Sequence, residues 1–147
     1  MDVVVSNCVV NLSPRKELVL QEVFRVLKPG GEFYFSDVFV DRRLKENIAF
    51  DPLLHSECLG GALYVRDFTR MAKKAGFKDP RVLTGAPISI RNEEIEKMVG
   101  NAKFSSITYR LFKIDTLVKK GKFPRPAKFD NHVLNYRTSI ARIMANS

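Results

Sequence analysis

The first 37 residues constrain the fold most, because two short apolar runs flank one amphipathic segment. Val3–Val5 is a run of three β-branched residues and predicts a short, fully buried strand. Ser13-Pro14 predicts a helix start, and Lys28-Pro29-Gly30-Gly31 predicts the helix end. Phe33–Phe35 predicts a second strand that ends at Ser36-Asp37. This order leaves no room for a hairpin and predicts a βαβ unit with parallel strands and a right-handed crossover.

Parallel strands end at the same edge of a sheet, and ligands of such sheets bind just beyond that edge. Ser6-Asn7-Cys8 and Ser36-Asp37 are therefore expected to lie together. Glu57-Cys58-Leu59-Gly60-Gly61-Ala62 follows the second strand and is expected to be a loop that folds over the same edge. Its two glycines would let the backbone approach a ligand closely. The pattern places two thiols, Cys8 and Cys58, at one candidate site.

The chain up to residue 116 predicts one α/β domain. Its further elements are a short helix within Arg43–Phe50 broken by Asp51-Pro52, a helix over Asp67–Ala75, a strand over Arg81–Ile90, a helix over Glu93–Val99 capped by Asn92, and a strand over Phe104–Ile114.

The positive charge is concentrated after this domain. The 147 residues have a net charge of +9, but residues 1–100 contain 15 Lys and Arg against 14 Asp and Glu, and residues 101–147 contain 10 against 2. Residues 117–147 therefore predict a basic, poorly ordered tail with a short helix over Asn135–Met144. A solvated tail is the favoured interpretation, and nucleic-acid contact is the minority one.

Several broad classes are disfavoured. The sequence has no apolar run long enough to span a bilayer and no secretory signal pattern, so no membrane partner is expected. Two cysteines do not make a disulfide framework, which favours a reducing, cytoplasmic location.

The two thiols have a simple structural interpretation and a chemical one. A lone cysteine is usually a small buried apolar residue, whereas two convergent thiolates suit a soft metal or metalloid. Two ligands are too few for a closed zinc site. His55 is a candidate further ligand, although a solvated loop histidine is the favoured interpretation. Asp37 and Glu57 are candidate acid–base residues, or acids that cap a loop or bind a ligand hydroxyl.

The motifs resemble a known family. Leu27–Gly31 before an aromatic strand resembles the fourth-to-fifth-strand region of S-adenosylmethionine-dependent class I methyltransferases. Ser6–Leu12 together with Glu57–Leu63 is similar, far more specifically, to arsenite methyltransferases. Tyr109–Lys113 also resembles a segment of that family, so the resemblance covers residues 2 to about 115.

The resemblance implies a function for several residues. Cys8 and Cys58 would bind trivalent arsenic in the catalytic site, with support from Glu57, and Ser6 and Asn7 would contact S-adenosylmethionine. Arsenite or methylarsenite would be the substrate in arsenic detoxification, and a thiol such as glutathione or thioredoxin the reductant.

The departures from the family limit this expectation. Its glycine-rich turn after the first strand, its acid after the second and its N-terminal cysteines have no match. The chain therefore predicts a partial Rossmann-like sheet from the fourth strand onward, truncated and inactive alone. Val3–Val5 would form an exposed edge that invites self-association. The alternatives are a non-catalytic thiol module for arsenite or a soft metal, and a methyltransferase-like partner subunit.

Overall fold

The predicted βαβ unit is present at one side of a mixed sheet. In the computed structural model, which describes residues 1–114, strands β1 (Val3–Asn7) and β2 (Glu32–Val40) are parallel and are joined through helix α1 (Lys16–Val26). Asn7 at the end of β1 lies opposite Ser36. Because β2 continues to Val40, the prediction that this strand ends at Ser36-Asp37 is wrong. Both residues lie inside the strand, level with the end of β1.

Three further strands complete the sheet. The short strand β3 (Leu63–Tyr64) pairs in parallel with the end of β2. Strand β4 (Arg81–Ile88) pairs antiparallel with β5 (Phe104–Phe112), and β5 also pairs antiparallel with β2. The strand order is β1-β2-β5-β4. Strands β1 and β4 are therefore the edges, and β2 is central.

The helix predictions are confirmed in part. Helix α4 (Val65–Ala75) ends at Gly76, and Asn92 caps helix α5 (Glu93–Val99), both as predicted. The helix predicted within residues 43–50 is only α2 (Glu46–Ala49). Ser13 is not the cap of α1, whose N-cap is Arg15.

Asp51-Pro52, predicted as a helix break, begins another helix. In α3 (Pro52–Ser56) the Asp51 carboxylate accepts from the amides of Leu53 and Leu54 at 2.9 and 3.1 Å, and Pro52 takes the first helical position. An acidic N-cap followed by proline is a favourable helix start. The segment that leads to Cys58 is thus helical.

Two apolar clusters fix the layers around β2. The main core combines Phe33, Phe35 and Phe39 with side chains of α1, α4 and β5, including Phe68 and Tyr109. The second cluster packs α3 and α5 against the last part of β2 through Val38, Val40, Leu54, Leu59, Ile95, Val99 and Phe104. It holds the Cys58 segment beside the carboxyl end of the sheet.

The prediction that Val3–Val5 is fully buried is wrong. Val3 and Val5 are 50% and 71% exposed, because side chains alternate between the two faces of a strand and only the face of Val4 meets the core. Strand β1 is also an edge of the sheet. The exposed apolar edge predicted for this segment is present in the described residues. No helix within residues 1–114 is long and apolar enough to span a membrane. The predicted tail and its helix over Asn135–Met144 lie outside the described residues.

Candidate thiol site

Cys8 lies directly after β1, where the chain turns away from the sheet. Its amide donates to the carbonyl oxygen of Ser36 at 2.9 Å, and its φ is +51°. A 3₁₀ turn over Val10–Leu12 follows. A left-handed backbone costs an L-residue roughly 1–2 kcal/mol, so this conformation is held by the surrounding contacts.

Cys58 has the same unusual backbone for a different local reason. The amide of Leu59 donates to the carbonyl oxygen of Leu54 at 2.8 Å, and that of Cys58 donates to His55 at 3.1 Å. These two bonds form a Schellman motif, which ends α3 with a left-handed residue that is usually glycine. Cys58 occupies that position with a φ of +59°. Within residues 1–114, Cys8 and Cys58 are the two non-glycine residues with positive φ.

A backbone contact joins the two thiol segments. A Cβ atom at Gly61 would lie 2.2 Å from the carbonyl oxygen of Asn11 and 3.0 Å from its carbonyl carbon. The Cys58 segment therefore packs directly on the turn that follows Cys8, as the sequence predicted from the shared sheet edge. The close approach expected at Gly60-Gly61 is made to the protein's own backbone.

The Cys8 thiol is half-buried, and its surroundings disfavour the thiolate. Burial raises the pKa of Cys8 above its ordinary value of 9.0, and the charges of Asp37 and Cys58 raise the same pKa further. At neutral pH, Cys8 is therefore a neutral, soft thiol.

Asp37 is an anchor for this site. Its side chain is 1% exposed and accepts from the amides of Val38 at 2.9 Å and Asn11 at 3.0 Å. Burial raises the pKa of Asp37. The bond from Asn11 attaches the turn after Cys8 to β2, whereas the bond from Val38 lies within β2 itself. Both oxygen atoms of the carboxylate therefore receive a backbone N–H.

Asn11 is the site residue that sequence reasoning missed. It is 1% exposed, and its side-chain amide donates to the carbonyl oxygen of Val38 at 2.5 Å. Its Oδ1 atom is buried and has no partner within residues 1–114. The available signal was one amide side chain in the apolar segment Val9-Val10-Asn11-Leu12.

The other predicted site residues do not form a set of ligands with the two thiols. Glu57 and Asn7 are exposed, and Ser6 is half-buried. His55 belongs to α3 and is half-buried, so its interpretation as a solvated loop residue is wrong. Residues 1–114 contain no group of three His, Cys, Asp or Glu side chains placed to hold a metal ion. The candidate site therefore has two thiols as its soft ligands.

Residues 1–76, slightly more than half of the chain, match the family model described as a methyltransferase domain. The chain belongs to this family. The arsenite methyltransferase of Aquipseudomonas alcaligenes is 56% identical over 79% of this chain and 34% of the relative. The Homo sapiens arsenite methyltransferase is 53% identical over 76% of this chain and 30% of the relative. The predicted resemblance is thereby confirmed.

A solved structure supports the same relationship for this methyltransferase-domain chain. CrArsM, an arsenic(III) S-adenosylmethionine methyltransferase from Chlamydomonas reinhardtii, is 56% identical with a TM-score of 0.74. The match covers 79% of this chain and 38% of that one. The predicted partial methyltransferase sheet is confirmed, and the chain spans about a third of the length of the relatives it matches.

Proposed function

We propose that this chain supplies the arsenic(III)-binding thiols of an S-adenosylmethionine-dependent arsenite methyltransferase. The observation that carries the proposal is the backbone contact between Gly61 and Asn11, which brings the segments of Cys8 and Cys58 together at the carboxyl end of β1. Two soft sulfur ligands at one position suit a thiophilic ion. The names and sequence identities of the relatives support arsenite as the substrate.

The thiols capture arsenite by ligand exchange. Arsenite at neutral pH is the neutral As(OH)₃. Each cysteine forms one As–S bond while one As–O bond breaks, and the thiol proton leaves with the hydroxide as water. Two exchanges give (RS)₂AsOH and two waters, with no change in oxidation state. The raised pKa of Cys8 is compatible with this exchange because the thiol proton is used.

The described residues make only part of a site for S-adenosylmethionine. Ser6 and Asn7 are polar side chains at the end of β1, but the glycines of the sequence lack the spacing of a nucleotide-binding turn. When bound, S-adenosylmethionine supplies an electrophilic methyl group. The contribution of this chain is to hold arsenic with its lone pair available. Attack of that lone pair on the methyl group would raise arsenic from the trivalent to the pentavalent state. We assign the two-electron reduction back to trivalent arsenic to an external thiol, such as glutathione or thioredoxin, because both cysteines serve as arsenic ligands.

Arsenite titration of the full chain, followed by calorimetry, tests this proposal. The wild type should bind one arsenic per chain. Cys8→Ser and Cys58→Ser should each weaken binding by about 100-fold, because the second As–S bond forms intramolecularly at high effective concentration. The Cys8→Ser/Cys58→Ser double variant supplies the baseline. Arsenite binding that persists in the double variant would refute the thiol site.

The incomplete cofactor site favours one second candidate, a non-catalytic thiol module that binds arsenite. Calorimetry with S-adenosylmethionine separates the two functions. Binding with a heat that changes when arsenite is already present supports methyl transfer. Arsenite binding without any S-adenosylmethionine binding supports the module.

A further inference from the structure

We propose that Asn11 and Gly61 are positioning residues that set the separation of the Cys8 and Cys58 thiols. Each lies three residues after one cysteine, so the contact between them joins the two segments near both sulfur atoms. This inference rests on the proposed function, since the separation matters only if one ligand uses both thiols.

Asn11 is the fixed side of the contact. Its backbone amide is held by the Asp37 carboxylate at 3.0 Å, and its side-chain amide is held by the carbonyl oxygen of Val38 at 2.5 Å. Both partners belong to β2, the central strand. Because Asn11 is 1% exposed and held at two points, its carbonyl group cannot move away from an added atom without disturbing the sheet.

Glycine is required at position 61 because any side chain there would collide with the backbone of Asn11. The φ of Gly61 lies outside the left-handed range, so alanine can adopt the backbone conformation. The obstacle is the Asn11 carbonyl oxygen at 2.2 Å from the added Cβ, where ordinary contacts begin at 3.4 Å. The segments must therefore separate by about 1 Å, and a misplacement of that size is enough to cost about 100-fold where geometry is critical.

Gly85 offers a matched control. It also has no positive φ, but a Cβ atom there would meet its nearest neighbour, the Ile107 side chain, at 3.9 Å. Gly85 lies in β4, at the opposite edge of the sheet from β1. Gly85→Ala therefore makes the same chemical change without pressing on the thiol segments.

The probe for the test is phenylarsine oxide, which uses two thiols. It reacts with both cysteines to form two As–S bonds and one water, and arsenic stays trivalent. The reference reaction is alkylation of each cysteine by N-ethylmaleimide, which uses one thiol and reports only its accessibility. A variant that is merely less stable would expose both thiols and raise their alkylation rates. Weaker phenylarsine oxide binding at unchanged alkylation rates therefore reports a change in the separation of the thiols.

Gly61→Ala in the full chain should weaken phenylarsine oxide binding by about 100-fold, the loss expected when two thiols no longer reach one arsenic. Alkylation of each cysteine should stay near the wild-type rate, and Gly85→Ala should match the wild type in both reactions. A folded Gly61→Ala variant with wild-type phenylarsine oxide affinity would overturn the proposal.

Asn11→Ala covers the case in which Gly61→Ala does not fold. This variant keeps the backbone carbonyl that contacts Gly61, but it removes the side-chain hydrogen bond to Val38. The turn after Cys8 therefore loses one of its two anchors. It should also bind phenylarsine oxide more weakly at unchanged alkylation rates, and wild-type binding would overturn the proposal. Failure of the proposed function would give a different result from failure of this inference. The wild-type protein would then bind phenylarsine oxide no better than the Cys8→Ser variant.

Discussion

The amide of Cys8 donates to the carbonyl oxygen of Ser36 at 2.9 Å, so the pairing of the two parallel strands continues one residue beyond the end of β1. This bond places the Cys8 thiol next to Asp37, the residue that follows Ser36 in the central strand. The site is thus built on the sheet itself, and the electrostatics of the thiol depend on a buried carboxylate.

The reactivity of Cys8 should depend on Asp37. In the Cys58→Ser background, the alkylation rate of Cys8 should reach half its maximum above pH 9.0, because burial first and the Asp37 charge second raise the thiol pKa. Asp37→Asn should shift the profile to lower pH, since a negative charge that disfavours the thiolate is removed. Mass spectrometry after timed iodoacetamide treatment measures this rate.

Glu57→Gln is the control for the charge effect, because Glu57 is exposed and is not among the groups that shift the pKa of Cys8. Its profile should match that of the Cys58→Ser background. An unchanged profile in Asp37→Asn would contradict the assigned role of the carboxylate.

Cys58→Gly should make the fold more stable while it weakens arsenite binding by about 100-fold. Cys58 occupies the left-handed position of a Schellman motif at a φ of +59°, where glycine has no Cβ strain. After allowance for the greater freedom of glycine in the unfolded chain, the expected gain is about 0.5–1 kcal/mol. Urea denaturation measures the free energy of unfolding.

Cys58→Ser is the comparison for this prediction, because serine keeps the Cβ and the strain but lacks the thiol. It should weaken arsenite binding to the same extent without gaining stability. If Cys58→Gly were less stable than Cys58→Ser, packing of the side chain against the second cluster would outweigh backbone strain.

The exposed edge of β1 should mediate self-association of the full chain. Val3 and Val5 are exposed there, whereas the β4 edge is interrupted by Pro87 and by an irregularity between Val82 and Thr84. Such devices protect sheet edges from pairing, and β1 has none. Sedimentation velocity at increasing micromolar concentrations should show oligomers for the wild type and mainly monomer for Val5→Lys.

Val82→Lys is the matched control, since Val82 is also exposed but lies on the protected edge. It should associate like the wild type. A wild-type chain that stays monomeric over this concentration range would exclude pairing through β1.

The parallel strand pair and the meeting of the two thiol segments could be predicted from the sequence, and the contacts that anchor the site could not. A valine run, an amphipathic helix and an aromatic run specify the parallel pair, and the shared strand ends then bring Cys8 and Cys58 to one edge. The continuation of β2 through Asp37 was missed because a carboxylate inside a strand is unfavourable until backbone amides satisfy it. One of those amides belongs to Asn11, which is remote in sequence.

The role of Asn11 was hidden for the same reason. Its importance comes from its contact with Gly61, which is fifty positions later in the chain. A short polar residue in an apolar segment does not indicate which remote residue it will contact. The burial of β1 was also misjudged, because a run of valines does not reveal whether one face or both faces of a strand are covered.

The helix stop at Gly76 should be much less tolerant of a side chain than the turn at Gly30. Both have positive φ, +116° and +82°, so alanine is strained at either by about 1 kcal/mol. A Cβ atom at Gly76 would also lie 2.5 Å from the Phe24 ring, whereas nothing lies within 4 Å of one at Gly30. Gly76→Ala should therefore cost about 1–3 kcal/mol more than Gly30→Ala, the usual price of overpacking.

Thermal and urea unfolding of the two variants measures this difference, and Phe24→Leu gives an internal check. The smaller leucine side chain makes room for the added methyl group, so Gly76→Ala should be less destabilising in the Phe24→Leu background than in the wild type. Because Phe24 contacts Phe77 edge to face at 5.1 Å, Phe24→Leu alone should be destabilising. Equal costs for Gly30→Ala and Gly76→Ala would show that backbone strain alone, without the contact to Phe24, determines the glycine requirement at the end of α4.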